Sequence, residues 1–110
     1  MRAVLRRRGN AVLDRLRHGD VVMDLGRREA SRDGRSLALT ATEFDLLAQL
    51  LRYPRQVHTR QALQRAVWGY DSVADSNVVD VHIGHLRRKL GGPPLIHTVR
   101  GVGFTLRSLP

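Results

Sequence analysis

One stretch of the chain, residues 76–90, places chemically different side chains on the opposite faces of a predicted helix. Val79, Ile83, Leu86 and Leu90 recur at helical spacing, which is typical of a stripe packed against a core. The opposite face can offer methyl, imidazole and cationic groups to the bases and phosphates of a nucleic acid; its residues are Val78, Val81, His82, His85, Arg88 and Lys89. This mixture favours a flat, polar, anionic partner, and double-stranded DNA fits that description. A half-buried amphipathic helix with a basic end is the alternative for this stretch taken alone.

The composition of the whole chain points to the same class of partner. The 110 residues predict one domain, and 19 Lys plus Arg stand against 10 Asp plus Glu, a net charge of +9. Eighteen of the 19 cations are arginine, whose planar fork suits phosphates and guanine edges. A GC-rich genome also raises the arginine content, so the excess alone does not identify a nucleic-acid-binding protein.

Other classes of function find little support in the sequence. Its aspartates do not cluster as a paired-carboxylate site, and no glycine loop that could cradle a phosphate is present, so we predict no enzyme activity. The absence of cysteine excludes disulfides and thiolate metal sites. His82 and His85 could supply two ligands to Zn²⁺ or Ni²⁺ but lack a third, so neither a metal site nor a cofactor is predicted. We find no membrane-spanning run and no secretory signal, and we expect a cytoplasmic protein.

The chain begins with a basic segment and continues into a predicted sheet. Residues 1–19 are interpreted as a linker or the stub of a preceding domain, with short helical pieces at 1–8 and 11–17; an independent DNA-binding arm is the alternative. From Asp20 onward, short extended segments follow one another with turn residues between them. The period of these segments predicts a small antiparallel sheet that packs on one face only.

Three strands are predicted in this N-terminal sheet, at residues 21–25, 27–32 and 35–39. The Asp33-Gly34 pair between the second and third is the strongest local hairpin signal in the sequence.

Two further helices are predicted between the sheet and the stretch at 76–90. Thr40 and Glu43 form a T-x-x-E capping box, and the apolar residues that follow recur at helical spacing until Pro54. Thr59 is the predicted N-cap of the next helix, which runs to Trp68 and Gly69. The loop at 69–75 joins this helix to the 76–90 helix, so the pair predicts a helix-turn-helix with a long turn.

The chain closes with a predicted β-hairpin. Two glycines and two prolines at residues 91–94 end the third helix. Residues 95–100 and 104–107 then alternate in polarity, with Arg100 at the tip of the hairpin. A hairpin that follows a helix-turn-helix is a wing. The predicted fold class is therefore α+β: a winged helix-turn-helix with a small N-terminal antiparallel sheet, three helices and a C-terminal β-hairpin wing.

Four motifs resemble the OmpR/PhoB family, the winged-helix effector domains of bacterial two-component response regulators. They are LTATEFDLLAQLLRYP, TRQALQRAVWG, SNVVDVHIGHLRRKL and IHTVRGVGFTL. The resemblance covers residues 20–107, with 108–110 as a C-terminal tail, and the lead-in at 1–19 resembles the end of a receiver domain followed by a linker. It implies a transcriptional regulator whose receiver domain, with its phosphorylatable aspartate, is absent from this chain.

The resemblance also implies site residues and partners. The third helix would enter the major groove and the wing the minor groove, so the implied DNA contacts are Trp68, Asn77, Val78, Val81, His82, His85, Arg87, Arg88, Thr98 and Arg100. Trp68 as a core aromatic and Thr98 as an ordinary strand residue are the alternatives. The implied RNA polymerase contacts are Gly69, Tyr70, Asp71, Ser72, Val73, Ala74 and Asp75. Two copies would bind in tandem on direct repeats roughly 10 to 11 base pairs apart, in association with the bacterial nucleoid.

This chain departs from the family pattern on the groove face. Many relatives carry arginine where this chain has Asn77, Gly84 and His85, so we expect more reliance on methyl contacts, histidine and DNA shape. Two rival functions remain open from the sequence. One is a protein-interaction module whose basic face binds an acidic partner, and the other is a metal-responsive sensor.

Overall fold

A four-stranded antiparallel sheet forms the N-terminal part of the fold, in the order β1-β2-β3-β4. We describe a computed structural model of the chain over residues 15–69 and 77–108. The strands are β1 (Arg15–His18), β2 (Val21–Asp24), β3 (Glu29–Arg32) and β4 (Arg35–Ser36). Val21 and Met23 are fully buried while their neighbours along β2 are half-buried, so the sheet packs on one face as predicted.

The first strand, β1, lies partly where a short helical piece was predicted, at residues 11–17. Residues 15–17 were expected to end a short helical piece, but Arg15–His18 pairs with β2, with Leu16 opposite Met23. The sheet thus begins before Asp20. The predicted hairpin between β3 and β4 is confirmed, since Asp33 and Gly34 both take positive φ angles, 52° and 77°, as a tight two-residue turn requires.

Three helices follow the sheet: α1 (Ala41–Arg52), α2 (Arg60–Trp68) and α3 (Asn77–Leu90). The capping box that starts α1 is present in full, because Glu43 N donates to Thr40 Oγ1 and Thr40 N donates to Glu43 Oε1. Thr59 caps α2 through a bond from Ala62 N, at 3.0 Å. Both predicted N-caps are therefore confirmed, while the predicted first residue of the third helix, at position 76, lies outside the described residues.

The C-terminal sheet has three strands rather than the two of a simple hairpin. Its strands are β5 (His58–Thr59), β6 (Ile96–Val99) and β7 (Gly103–Leu106), in the order β5-β7-β6. The predicted wing is β6 and β7, and Arg100 lies in the turn that joins them. The extra strand β5 pairs with β7, so the base of the wing is attached to the segment that leads into α2.

The hydrophobic core lies between α1, α3 and the inner faces of the two sheets. The predicted stripe of α3 is confirmed, since Val79, Ile83, Leu86 and Leu90 are all at most 1% exposed. The rest of the core comes from the flanking elements, and α1 contributes the largest number of buried residues. Because one side of α3 is completely covered, its rotation about its own axis is fixed. The opposite side is left to face outward.

Candidate nucleic-acid interface

The outer face of α3 lies opposite its buried stripe and comprises Asn77, Val81, Gly84, His85 and Arg88. Val81 is 51% exposed, and the His85 side chain is 44% exposed. Asn77 and Arg88 are also exposed. A Cβ added at Gly84 would meet no atom within 4 Å, so this face is open along its length. The outer face therefore presents four kinds of group to a binding partner: an aliphatic group, an imidazole, an amide and a guanidinium.

Three of the predicted site residues lie at the margin of this face and pack inward. The His82 ring stacks on Trp68 with 5.5 Å between centroids and 18° between planes, and both residues are half-buried. Its Nδ1 atom is buried and has no hydrogen-bond partner among the described residues. Val78 packs partly against the core. These side chains brace α3 against its surroundings, and each shows less of its surface than Val81.

The wing is tied to α3 through Arg87. The Nη2 atom of Arg87 donates to Thr98 Oγ1 at 2.8 Å, and its Nε atom donates to the Ile96 carbonyl at 3.1 Å. Two predicted site residues, one on the helix and one on the wing, are thus joined directly. At the tip, Arg100 is exposed. Within residues 15–69 and 77–108 its guanidinium makes no hydrogen bond or ion pair.

Arg60 fastens α2, α3 and the wing together, a role that the sequence did not reveal. Its Nε atom donates to Asp80 Oδ1 at 2.8 Å, and its guanidinium lies 5.0 Å from the ring centroid of Phe104 in β7. Asp80 lies on the flank of α3, about 100° of helical rotation from Val81, on the side that faces Arg60. The Asp80 carboxylate is thus paired with Arg60 although both side chains are partly exposed, Arg60 at 36% and Asp80 at 43%, so its negative charge is offset next to the outer face.

Glu43 connects the start of α1 to the outer side of α3. Its side chain is only 3% exposed, and it accepts a hydrogen bond from Lys89 Nζ at 2.6 Å while His85 Nδ1 lies 3.8 Å away. Burial alone raises the pKa of Glu43, but hydrogen bonds from Lys89 and Thr40 and the charges of Lys89 and His85 bring it below the ordinary 4.5. The capping role was predicted and is present; the contacts with α3 were not predicted.

The described residues offer neither a metal centre nor a membrane span. Among them, no three His, Asp or Glu side chains are grouped so that they could hold a metal ion, and the His82 and His85 rings are 6.1 Å apart in an edge-to-face contact. In the same part of the chain, every helix is too short or too polar to cross a bilayer. Of the predicted RNA polymerase loop, only Gly69 is described, as the C-cap of α2; the predicted contacts at residues 70–75 lie outside the described residues.

Comparison with known proteins places this geometry in a family. Residues 34–106 match the family model described as transcriptional regulatory protein, C terminal. The transcriptional regulatory protein PrrA of Mycobacterium tuberculosis is 50% identical over 113 aligned positions, which cover 97% of this chain and 48% of PrrA. The chain spans about half the length of the curated relatives it matches.

Two solved structures match nearly over their whole length. The DNA-binding domain of CpxR from E. coli is 40% identical, with a TM-score of 0.74 over 84% of this chain and 94% of that one. The Klebsiella pneumoniae RstA DNA-binding domain, solved in complex with the RstA box, is 30% identical, with a TM-score of 0.75 over 84% and 95%. The fold, the family match and these likenesses agree: the chain belongs to the C-terminal domain family of transcriptional regulatory proteins, the OmpR/PhoB type of winged-helix DNA-binding domain.

Proposed function

We propose that this domain binds double-stranded DNA sequence-specifically, as the effector domain of a two-component response regulator. The observation that carries the proposal is the division of α3: its inner stripe is at most 1% exposed, while Val81 is 51% exposed on the opposite side. A helix fixed in this way can enter the major groove without rearranging. The likeness to RstA, which was solved in complex with its box, supports the same reading.

We assign the base contacts to the outer face of α3. Val81 can contact a thymine methyl group and His85 can hydrogen-bond a base edge, whereas Asn77 and Arg88 suit phosphates. Val78 and His82 are assigned contacts at the edge of the groove, since both pack partly inward. The indole N–H of Trp68, which stacks on His82, is proposed to donate to a phosphate.

The wing is assigned to the minor groove and the adjoining backbone. An exposed arginine in the turn of a hairpin can enter the narrow groove of A·T-rich DNA, where the negative potential is greatest, and Arg100 is such a residue. Thr98 is proposed to contact the phosphate backbone. Arg87, whose guanidinium donates to Thr98 Oγ1, holds that hydroxyl in place and adds a positive charge next to the phosphates.

The proposal extends to the whole protein. We infer that regulation comes from a receiver domain outside this chain, that two copies bind direct repeats in tandem, that residues 69–75 contact RNA polymerase, and that the protein acts without catalysis on the bacterial nucleoid in the cytoplasm. The length of the curated relatives, about twice that of this chain, supports a further domain. The other assignments are supported by the family to which the chain belongs.

Selection of duplexes from a random library at physiological salt tests the proposal. Enrichment of a defined consensus is expected, with the same result when a chelator is present, because specific binding depends on base contacts and not on a metal ion. Binding that is weak, salt-labile and indifferent to sequence would favour a module that recognises an acidic protein. A consensus that is lost with chelator would favour a metal-responsive sensor.

A further inference from the structure

The carboxyl end of α3 is held by two arginines from the N-terminal sheet. The last carbonyl groups of a helix have no partner within the helix and carry its partial negative charge. Arg32 Nη1 donates to the carbonyls of Leu90 at 3.3 Å and Gly91 at 2.9 Å, and Arg32 Nη2 donates to the Pro93 carbonyl at 2.6 Å. One guanidinium thus spans the end of α3 and the loop that leaves it.

Arg35 reinforces this contact from the other strand of the same hairpin. Its Nη2 atom donates to the Leu90 carbonyl at 3.1 Å and its Nη1 atom to the Lys89 carbonyl at 3.4 Å. Unlike Arg32, which is 3% exposed, Arg35 lies at the surface. We call the pair Arg32 and Arg35 the arginine clamp.

The buried member of the arginine clamp is fully occupied by its contacts. Besides the three carbonyls, Arg32 Nε donates to Asp20 Oδ1 at 3.1 Å. A buried cation without such partners would be strongly unfavourable, so its position is closely determined by the groups around it. If the side chain left, the Gly91 and Pro93 carbonyls would lose these bonds and the Leu90 carbonyl would keep only its bond from Arg35. Asp20 would lose its ion pair.

We propose that the arginine clamp is a positioning device for DNA recognition: through it, the N-terminal sheet sets the angle at which α3 enters the groove. This inference rests on the proposed DNA-binding function. No residue of the arginine clamp was predicted to contact DNA, and its effect would pass through α3 alone.

The geometry of α3 explains why an anchor at one end matters at the other. A helix of 14 residues is about 20 Å long, so a small tilt at Leu90 displaces Asn77 and Val81 at the opposite end. Base contacts tolerate displacements of only about 0.5 Å, whereas phosphate contacts from flexible side chains tolerate more. Loss of the arginine clamp should therefore reduce specific binding more than non-specific binding.

The test compares Arg32→Gln and Arg35→Gln with Arg17→Gln. Arg17 is exposed on β1, so its substitution removes the same charge without touching α3. Two quantities are measured at a temperature where circular dichroism shows each variant folded: hydrogen exchange of the last turn of α3 without DNA, and affinity for a selected and a random duplex at equal salt.

For Arg32→Gln we expect about ten-fold faster exchange in the last turn of α3 and about ten-fold weaker binding of the selected duplex, with random duplex binding changed less than about two-fold. Arg35→Gln should act in the same direction with a smaller effect. Arg17→Gln should leave the exchange unchanged and weaken both duplexes equally, because only a screened charge is lost.

Arg32→Lys separates positioning from charge. Lysine keeps the positive charge near Asp20 but cannot span three carbonyls with one ammonium group, so specific affinity should stay low. Wild-type affinity for the selected duplex in Arg32→Lys would contradict the proposed positioning role of the arginine clamp.

Two further outcomes distinguish this inference from the function on which it rests. Unchanged hydrogen exchange in both glutamine variants would contradict the positioning role of the arginine clamp, whatever the DNA result. If Arg32→Gln does not fold, the exchange measured for Arg35→Gln alone tests that role. If the wild-type domain fails to discriminate selected from random duplexes, the proposed function is wrong. The proposal that the arginine clamp positions α3 for DNA is then wrong as well, even if hydrogen exchange shows that the clamp holds the end of the helix.

Discussion

The two sheets of this domain both reach α3, but they do so with different chemistry. The N-terminal sheet contacts the carboxyl end of the helix through Arg32, which is 3% exposed, and its charge is used entirely within the protein. The C-terminal sheet contacts the side of the helix through Thr98 and leaves Arg100 exposed at its tip. The N-terminal sheet therefore holds the end of the helix. The C-terminal sheet contacts the side of the helix and presents an exposed cation.

This difference shows that arginine content alone does not measure a DNA-binding surface. Arg32, Arg60 and Arg87 each donate hydrogen bonds within the protein, and two of them also lie near the Phe104 ring. Arg88 and Arg100, by contrast, are exposed. The 19 cations thus include some that hold the fold and others that are simply exposed. Arg87 belongs to both groups, because it is exposed and also bonds the wing.

The largest expected effect comes from breaking the C-terminal sheet at its base. A Cβ at Gly103 would overlap the His58 carbonyl and come within 2.9 Å of the Thr59 Cα, so Gly103→Ala must push β5 away from β7. We expect a loss of about 3 kcal/mol in the free energy of unfolding, measured by urea denaturation followed by circular dichroism.

Gly84→Ala is the matched control for this substitution. The added methyl group meets no atom within 4 Å and should raise stability by about 1 kcal/mol, because alanine favours a helix over glycine. Equal stability of Gly103→Ala and wild type would show that β5 is not held against β7 as described.

The buried carboxylate of Glu43 provides a pH-dependent attachment between α1 and α3. Glu43→Gln should cost about 2 kcal/mol at pH 7, because a charged hydrogen bond from Lys89 is lost. The folded state lowers the pKa of Glu43 below 4.5, so its contribution is complete above that pH and is lost as the pH falls through the folded pKa.

Denaturation of wild type and Glu43→Gln at a series of pH values from 7 down to 3 measures this contribution. The difference in stability between the two proteins should shrink below about pH 4.5. Asp45→Asn serves as the control, since Asp45 forms an exposed ion pair with Arg28 and should contribute little at any pH. A difference that stays constant down to pH 3 would contradict the role given to Glu43.

The wing tip should affect binding without affecting stability. Arg100→Ala is expected to weaken binding of the selected duplex about ten-fold, or about 1.4 kcal/mol, and to flatten the A·T preference beside the major-groove site. Stability should change by less than about 0.5 kcal/mol because the residue is exposed. A fluorescence titration with Arg17→Ala as the charge-matched control measures the effect, and unchanged affinity would reject the minor-groove assignment.

Local signals predicted the helices and the wing well. The capping box at Thr40, the N-cap at Thr59 and the stripe that ends at Leu90 all depend on residues a few positions apart, and each is confirmed. The strands β1 and β5 were missed for different reasons. The first lies in a basic segment that was interpreted as a linker with short helical pieces, and the two residues of β5 directly precede α2. Their pairing depends on partners elsewhere in the chain.

The contacts that position the site were harder to predict, since they join distant residues. Arg32 and the Leu90 carbonyl are 58 residues apart, and Glu43 and Lys89 are 46 apart. One signal was nevertheless present: Arg32 shares the inward register of β3 with Ala30, where an arginine must find partners. The inward placement of His82 beside Trp68 depends on how α2 and α3 pack, which the sequence pattern of α3 alone does not contain.

The most direct test of base recognition by the outer face of α3 is selection from a random duplex library, carried out in parallel with wild type, His85→Ala and His97→Ala. His85 lies on the outer face, whereas His97 lies on β6 near the Arg107 carbonyl. We expect His85→Ala to lose preference at one or two base pairs of the wild-type consensus, and His97→Ala to keep that consensus. The same consensus from wild type and His85→Ala would contradict base recognition by this face.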